Sequence, residues 1–118
     1  GLDGLDELST TGPSLVAELK DGEVHTFEVT PEDAGLRRES LDRLRGGDAE
    51  TNARAIRAML AGEDGPLREI VLMAAGAGLV VADRAADLRE GVAIAAEAVD
   101  SGRATKLLDD FAAFTERA

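Results

Sequence analysis

Polar and apolar residues follow two different rhythms along this chain. Two short runs, Ser14–Lys20 and Glu23–Val29, flank the dipeptide Asp21-Gly22. A two-residue hairpin turn needs positive φ at both central positions, and Asp-Gly supplies that readily. The register set by this turn places Lys20 opposite Glu23 and Val16 opposite Phe27. One is an opposite-charge pair and the other an apolar pair, so the register agrees with itself. His25 then has Glu18 as its cross-strand neighbour. Thr30-Pro31-Glu32-Asp33 breaks the second strand, and residues 36–47 read as an irregular or short helical connection.

Beyond Asp48 the rhythm becomes helical, and four helices are expected. Asp48 is a good N-cap, and Ala49, Ala53, Ile56 and Leu60 recur at helical spacing until Gly62. Pro66 suits the first turn of the second helix. From Ile70 to Ala82 that helix is apolar all round, which places it in the middle of the fold. Gly76 and Gly78 lower its helix propensity, and close packing against a neighbour is the expected compensation. Asp87 with Glu90 forms a capping box for the third helix. Leu88, Val92, Ala95 and Val99 are its buried stripe, and Gly102 ends it. The fourth helix is expected to bury Leu107, Leu108, Phe111 and Phe114.

Composition narrows the class. The chain has 118 residues, 44% of them apolar, which supports one core. Aromatics are only 3%, so that core must come from Leu, Ile, Val and Ala. The net charge of -11 argues against nucleic acid and against anionic lipid as partners. Many acids and only two lysines, Lys20 and Lys106, suit a salt-adapted surface. There is no cysteine, so disulfides and thiolate chemistry are excluded, and the single His25 excludes a two-histidine metal motif. The apolar run from Ile70 to Ala82 is too short to span a bilayer. No signal peptide opens the chain, and the cytoplasm is the expected location. The first residue is Gly1 and a dense motif starts at once, which suggests a piece of a longer protein.

Residues 1–13 read as a loop rich in Gly, Ser and Thr. Within it, Asp6 and Glu7 are the first candidates for chemistry. Neighbouring carboxylates can reach one cation, and Mg2+ favours one or two carboxylates together with substrate phosphates. On spacing alone, a solvated acidic surface loop is the better explanation of the pair, since adjacent acids are common and usually solvated. Arg37, Arg38, Arg43 and Arg45 read as a solvated face offsetting acids such as Glu39 and Asp42. Asn52 reads as a structural polar contact, and His25 as a surface residue.

Several motifs then fall in a recognisable order. Gly1-Leu2-Asp3-Gly4-Leu5-Asp6-Glu7-Leu8-Ser9 resembles a loop of the anthranilate phosphoribosyltransferases. Gly12-Pro13 and Val16–Leu19 follow, then Thr30–Leu36, similar to the family's Pro-Glu-Asp-x-Gly-Leu segment. Gly46–Ala53 resembles its Gly-Gly-Asp helix start, and Asp100–Ala104 its Asp-Ser-Gly-Lys-Ala step. The resemblance spans essentially the whole chain.

It implies an α/β fold. This chain would be the C-terminal part of a nucleoside phosphorylase/phosphoribosyltransferase-type catalytic domain, a β-hairpin followed by about four helices. It implies transfer of the phosphoribosyl group from phosphoribosyl diphosphate to anthranilate, a step of tryptophan biosynthesis. It also implies Mg2+ as cofactor, held by Asp6 and Glu7 against the diphosphate, and a homodimeric parent. The family's Gly-Thr-Gly-Gly-Asp phosphate loop, its N-terminal helices and its anthranilate-binding residues lie upstream of the matched region. Gly46-Gly47-Asp48 opens a helix and is not that loop. Ala34 and Ala74 depart from the family pattern, where bulkier and Asn residues are common. A non-catalytic ligand-binding relative of the same fold is the alternative, as is an inactive truncated piece.

Overall fold

A computed structural model describes residues 1–117. The order of elements is β1 (Ser14–Lys20), β2 (Glu23–Val29), a 3-10 turn (Leu41–Leu44), α1 (Ala49–Leu60), α2 (Pro66–Val81), α3 (Leu88–Asp100) and α4 (Arg103–Glu116). The hairpin followed by four helices matches the expectation from the residue pattern. Asp21 (φ 51°) and Gly22 (φ 81°) take the positive φ that the turn requires. The strands pair antiparallel with Lys20 opposite Glu23, Glu18 opposite His25 and Val16 opposite Phe27.

The helix starts follow the sequence signals. The Asp48 carboxylate accepts from the Thr51 N–H at 2.8 Å and caps α1. Asp87 accepts from the Glu90 N–H (2.8 Å), and Glu90 reaches back to accept from the Ala86 N–H (2.7 Å). The first bond satisfies a donor that the helix itself leaves free, and the second ties Glu90 to the residue just before the N-cap. Asn52 accepts from the Gly47 N–H (2.9 Å) and donates to the Gly47 carbonyl (3.0 Å), a clamp on the entry to α1.

The core lies where α2 crosses α3. Leu72, Val92, Ala95 and Val99 are buried there, joined by Met59 of α1 and by Ala34; Met73 is also fully buried, but outside this cluster. Two glycines set the approach of the helices. A Cβ on Gly76 would stand 2.8 Å from the Val92 backbone nitrogen, and one on Gly91 would run into the Gly76 carbonyl. Close packing therefore explains Gly76, but not Gly78, where an added Cβ would meet nothing within 4 Å. Gly91 is the true partner, a role its place in the sequence does not advertise.

In three helices burial is narrower than the apolar pattern, against the expectation for α2 and α4. In α4, Leu107 (69%), Phe111 (62%) and Phe114 (71%) are exposed, and Leu108 is only half-buried. In α1 the stripe of Ala49, Ala53 and Ile56 is exposed, while Met59 is buried. In α2 only one side is buried, and Val81 is 86% exposed. The reason is common to all three: a helical stripe shows which side can be buried, whereas burial needs an element to lie against it.

The open faces register in the dimensions. The radius of gyration is 15.3 Å, against about 13.5 Å for a compact domain of this length. The surface is 7789 Å², against about 6100 Å² for a folded chain of this mass. The hairpin contributes, with Leu15, Leu19, Val24 and Phe27 all exposed.

Candidate functional site

The loop of residues 1–13 is stitched down at several points. At its base the Leu2 N–H donates to the Pro13 carbonyl (3.0 Å), and Gly4 takes a φ of 96°. The Asp3 carboxylate sits at the centre. It accepts from the hydroxyls of Ser9 and Thr11 through Oδ2 and from the Leu5 N–H through Oδ1 (3.1 Å). Ser9 is fully buried, and its N–H donates to the Ser14 hydroxyl (2.8 Å) at the start of β1. The Thr10 carbonyl accepts from the Glu39 N–H (2.8 Å), which fastens the loop to the following connection. The hydroxyl hydrogen bonds hold the Asp3 carboxyl down at about 2, below its ordinary 3.8.

Asp6 and Glu7 lie at the far side of this loop, both exposed. Among the described residues, no side chain forms a hydrogen bond or ion pair with either carboxylate. With Leu5, Leu8 and the α2 residues Ile70, Val71 and Ala74 they line a groove of about 240 Å³. The loop thus offers one spent carboxylate, Asp3, and two free ones beside an apolar helix face. A larger cleft of about 450 Å³ lies between the ends of α1 and α3 and the start of α4. Its charged groups are already paired: Lys106 with Asp110, Asp109 with Arg57, Asp100 with Arg68. The smaller groove is therefore the better candidate.

The groove offers two carboxylates and, among the described residues, no closed set of metal ligands. Among the described residues, no three His, Cys, Asp or Glu side chains gather into a metal cluster. Two free carboxylates with no third ligand suit a cation that takes its remaining ligands from water and a phosphate-bearing substrate.

The other sequence candidates have structural roles. Arg43 pairs with Glu39 (2.6 Å) and Arg45 with Asp42 (2.9 Å), as expected for a face of compensating charge. Arg38 pairs with Glu32 (2.8 Å). Arg37 does more: its N–H and guanidinium both donate to Glu69 (2.9 and 3.1 Å), a carboxylate buried on α2. This long-range tie has no local sequence signal. His25 is exposed, with Glu23 at 3.7 Å. The loop residues missed by the sequence reading are Asp3, Ser9 and Thr11. Their signal was an acid followed by hydroxyls in a Gly-rich stretch, a pattern known to bind local backbone and side chains.

Residues 1–105 match the glycosyl transferase family, a/b domain, and the chain belongs to that family. Within it, the chain is similar to the anthranilate phosphoribosyltransferases. It is 56% identical to that of Parvibaculum lavamentivorans over 115 residues, 98% of this chain and 34% of the relative. It is 58% identical to that of Rhodopseudomonas palustris over 104 residues, 88% of this chain and 31% of the relative. The crystal structure of anthranilate phosphoribosyltransferase from Thermus thermophilus superimposes with a TM-score of 0.87 at 44% identity. That match covers 98% of this chain and 34% of the solved one. The chain spans about a third of the length of the curated relatives it matches.

Proposed function

We propose that residues 1–118 form the C-terminal portion of the catalytic domain of an anthranilate phosphoribosyltransferase. In this reading Asp6 and Glu7 hold Mg2+ against the diphosphate of phosphoribosyl diphosphate, and anthranilate is the acceptor. The observation that carries it is the pair of free carboxylates at the rim of the groove, in a chain similar to these enzymes over 98% of its length.

When bound, Mg2+ neutralises the charge that grows on the departing diphosphate as the bond at the ribose C1 breaks. Asp6 and Glu7 hold and orient rather than move protons. Their hard oxygens suit Mg2+, and their freedom from other partners keeps them available. Leu5, Leu8, Ile70 and Val71 keep one side of the groove apolar. The rest of the site, including the anthranilate contacts and the phosphate loop, belongs to upstream sequence. The parent acts as a homodimer in the cytoplasm, in tryptophan biosynthesis.

The test is the loss of anthranilate fluorescence on adding phosphoribosyl diphosphate and Mg2+. It is run on this chain and on an upstream-extended version. Turnover by the extended version alone supports the reading. Two folded proteins that both fail to turn over would put a non-catalytic ligand-binding relative in its place.

A further inference from the structure

The loop of residues 1–13 contains three carboxylates, and they are used in opposite ways. Asp6 and Glu7 are exposed and free. Asp3 accepts three hydrogen bonds, two of them from the hydroxyls of Ser9 and Thr11. These bonds span the segment that carries Asp6 and Glu7, because Asp3 stands before the pair while Ser9 and Thr11 follow it. The network continues beyond the loop. The Thr11 N–H donates to the Ser9 hydroxyl (2.9 Å), and the Ser9 N–H donates to the Ser14 hydroxyl, itself buried at the start of β1. A Gly-rich loop otherwise loses much conformational freedom on ordering. A carboxylate closing it across its carrier segment removes that freedom before any ligand arrives.

We infer that Asp3 is a positioning residue, which with Ser9 and Thr11 clasps the loop so that Asp6 and Glu7 meet a divalent cation already oriented. The inference rests on the reading of Asp6 and Glu7 as cation ligands. Asp3 does not touch the cation; it acts through the loop. Groups that orient metal ligands from behind weaken binding about 10-fold or more when lost. Thr11 is the informative member of the clasp, because changing it alters no charge. It separates loop geometry from the simple loss of a negative charge near a cation.

The experiment is a titration of the 15N-labelled chain with Mn2+, reading the paramagnetic broadening of the loop amides and the apparent Kd. The unaltered chain should broaden first at Asp6 and Glu7. Thr11→Val should weaken Mn2+ binding about 10-fold, with amide shifts outside the loop unchanged, and Thr11→Ser should restore it. Asp3→Asn should weaken it at least as much as Thr11→Val. If Thr11→Val leaves the affinity unchanged, or Thr11→Ser fails to restore it, the positioning role is overturned. Asp6→Asn combined with Glu7→Gln separates the two ideas. If that variant keeps the broadening, the cation reading itself fails. If it abolishes the broadening while Thr11→Val and Asp3→Asn do not weaken it, only the clasp fails. Should Asp3→Asn unfold the chain, the two Thr11 variants still decide.

Discussion

The α2–α3 pair and the β1–β2 hairpin are both regular and both hydrogen-bonded, yet they bury their side chains to opposite extents. Across α2 and α3 the backbones meet at Gly76 and Gly91, and Leu72, Val92, Ala95 and Val99 fill the seam. Along the hairpin, Leu19 is 73% exposed and Val24 66%. Backbone pairing satisfies the strands without hiding their side chains, whereas the helices gain from the side chains they remove from water. A two-stranded ribbon without a packing layer is marginal on its own. In this chain, stability is therefore concentrated in the helical seam, and the hairpin depends on its tie to the loop and the connection beyond it.

The largest test of that contrast is at the helix crossing. Gly91→Ala puts a Cβ into the Gly76 carbonyl, a backbone group that cannot turn aside. A loss of about 3 kcal/mol is expected in denaturant melts, at the upper end for overpacking. Leu72→Ala, at 4% exposure, should cost about 2–4 kcal/mol through the cavity it leaves. Gly78→Ala is the opposite control on the same helix. Nothing lies within 4 Å of its Cβ position, so better helix propensity should raise stability by about 0.5–1 kcal/mol. A loss there would mean that α2 is more crowded than its geometry shows.

On the hairpin, Leu19→Lys should change stability by less than about 0.5 kcal/mol, because the side chain gives up little burial. The same change should reduce self-association seen by sedimentation, since it interrupts an exposed apolar face. A loss comparable with that of Leu72→Ala would show that the ribbon is covered in solution.

The loop is tested through pH. The Asp3 carboxyl is held at about 2, below its ordinary 3.8, first by the Ser9 hydroxyl and then by that of Thr11. A depressed carboxyl contributes stability that is complete above its unfolded value and lost as pH falls through the folded one. The melting temperature should therefore decline between pH 3.8 and about 2. Asp3→Asn should flatten that part of the profile, and an unchanged slope would remove Asp3 from the account.

The sequence alone determined the elements and their limits, because those signals are local. Asp21-Gly22 specifies a turn by its φ preference, Asp48 and Asp87 cap by reaching backbone three residues away, and Gly102 ends α3 with a positive φ of 81°. Asp6 and Glu7 could be picked out because their motif and neighbours lie together in the chain. Other features are relations between segments far apart in sequence, and only the tertiary structure decided them. Gly91 matters because Gly76 crosses it, and Glu69 is buried because Arg37 meets it across the fold. The stripe of Leu107, Phe111 and Phe114 is helical as expected but open, because no other described element lies over it. Periodicity identifies a face that would gain from burial; whether it is buried depends on a partner that the local pattern does not encode.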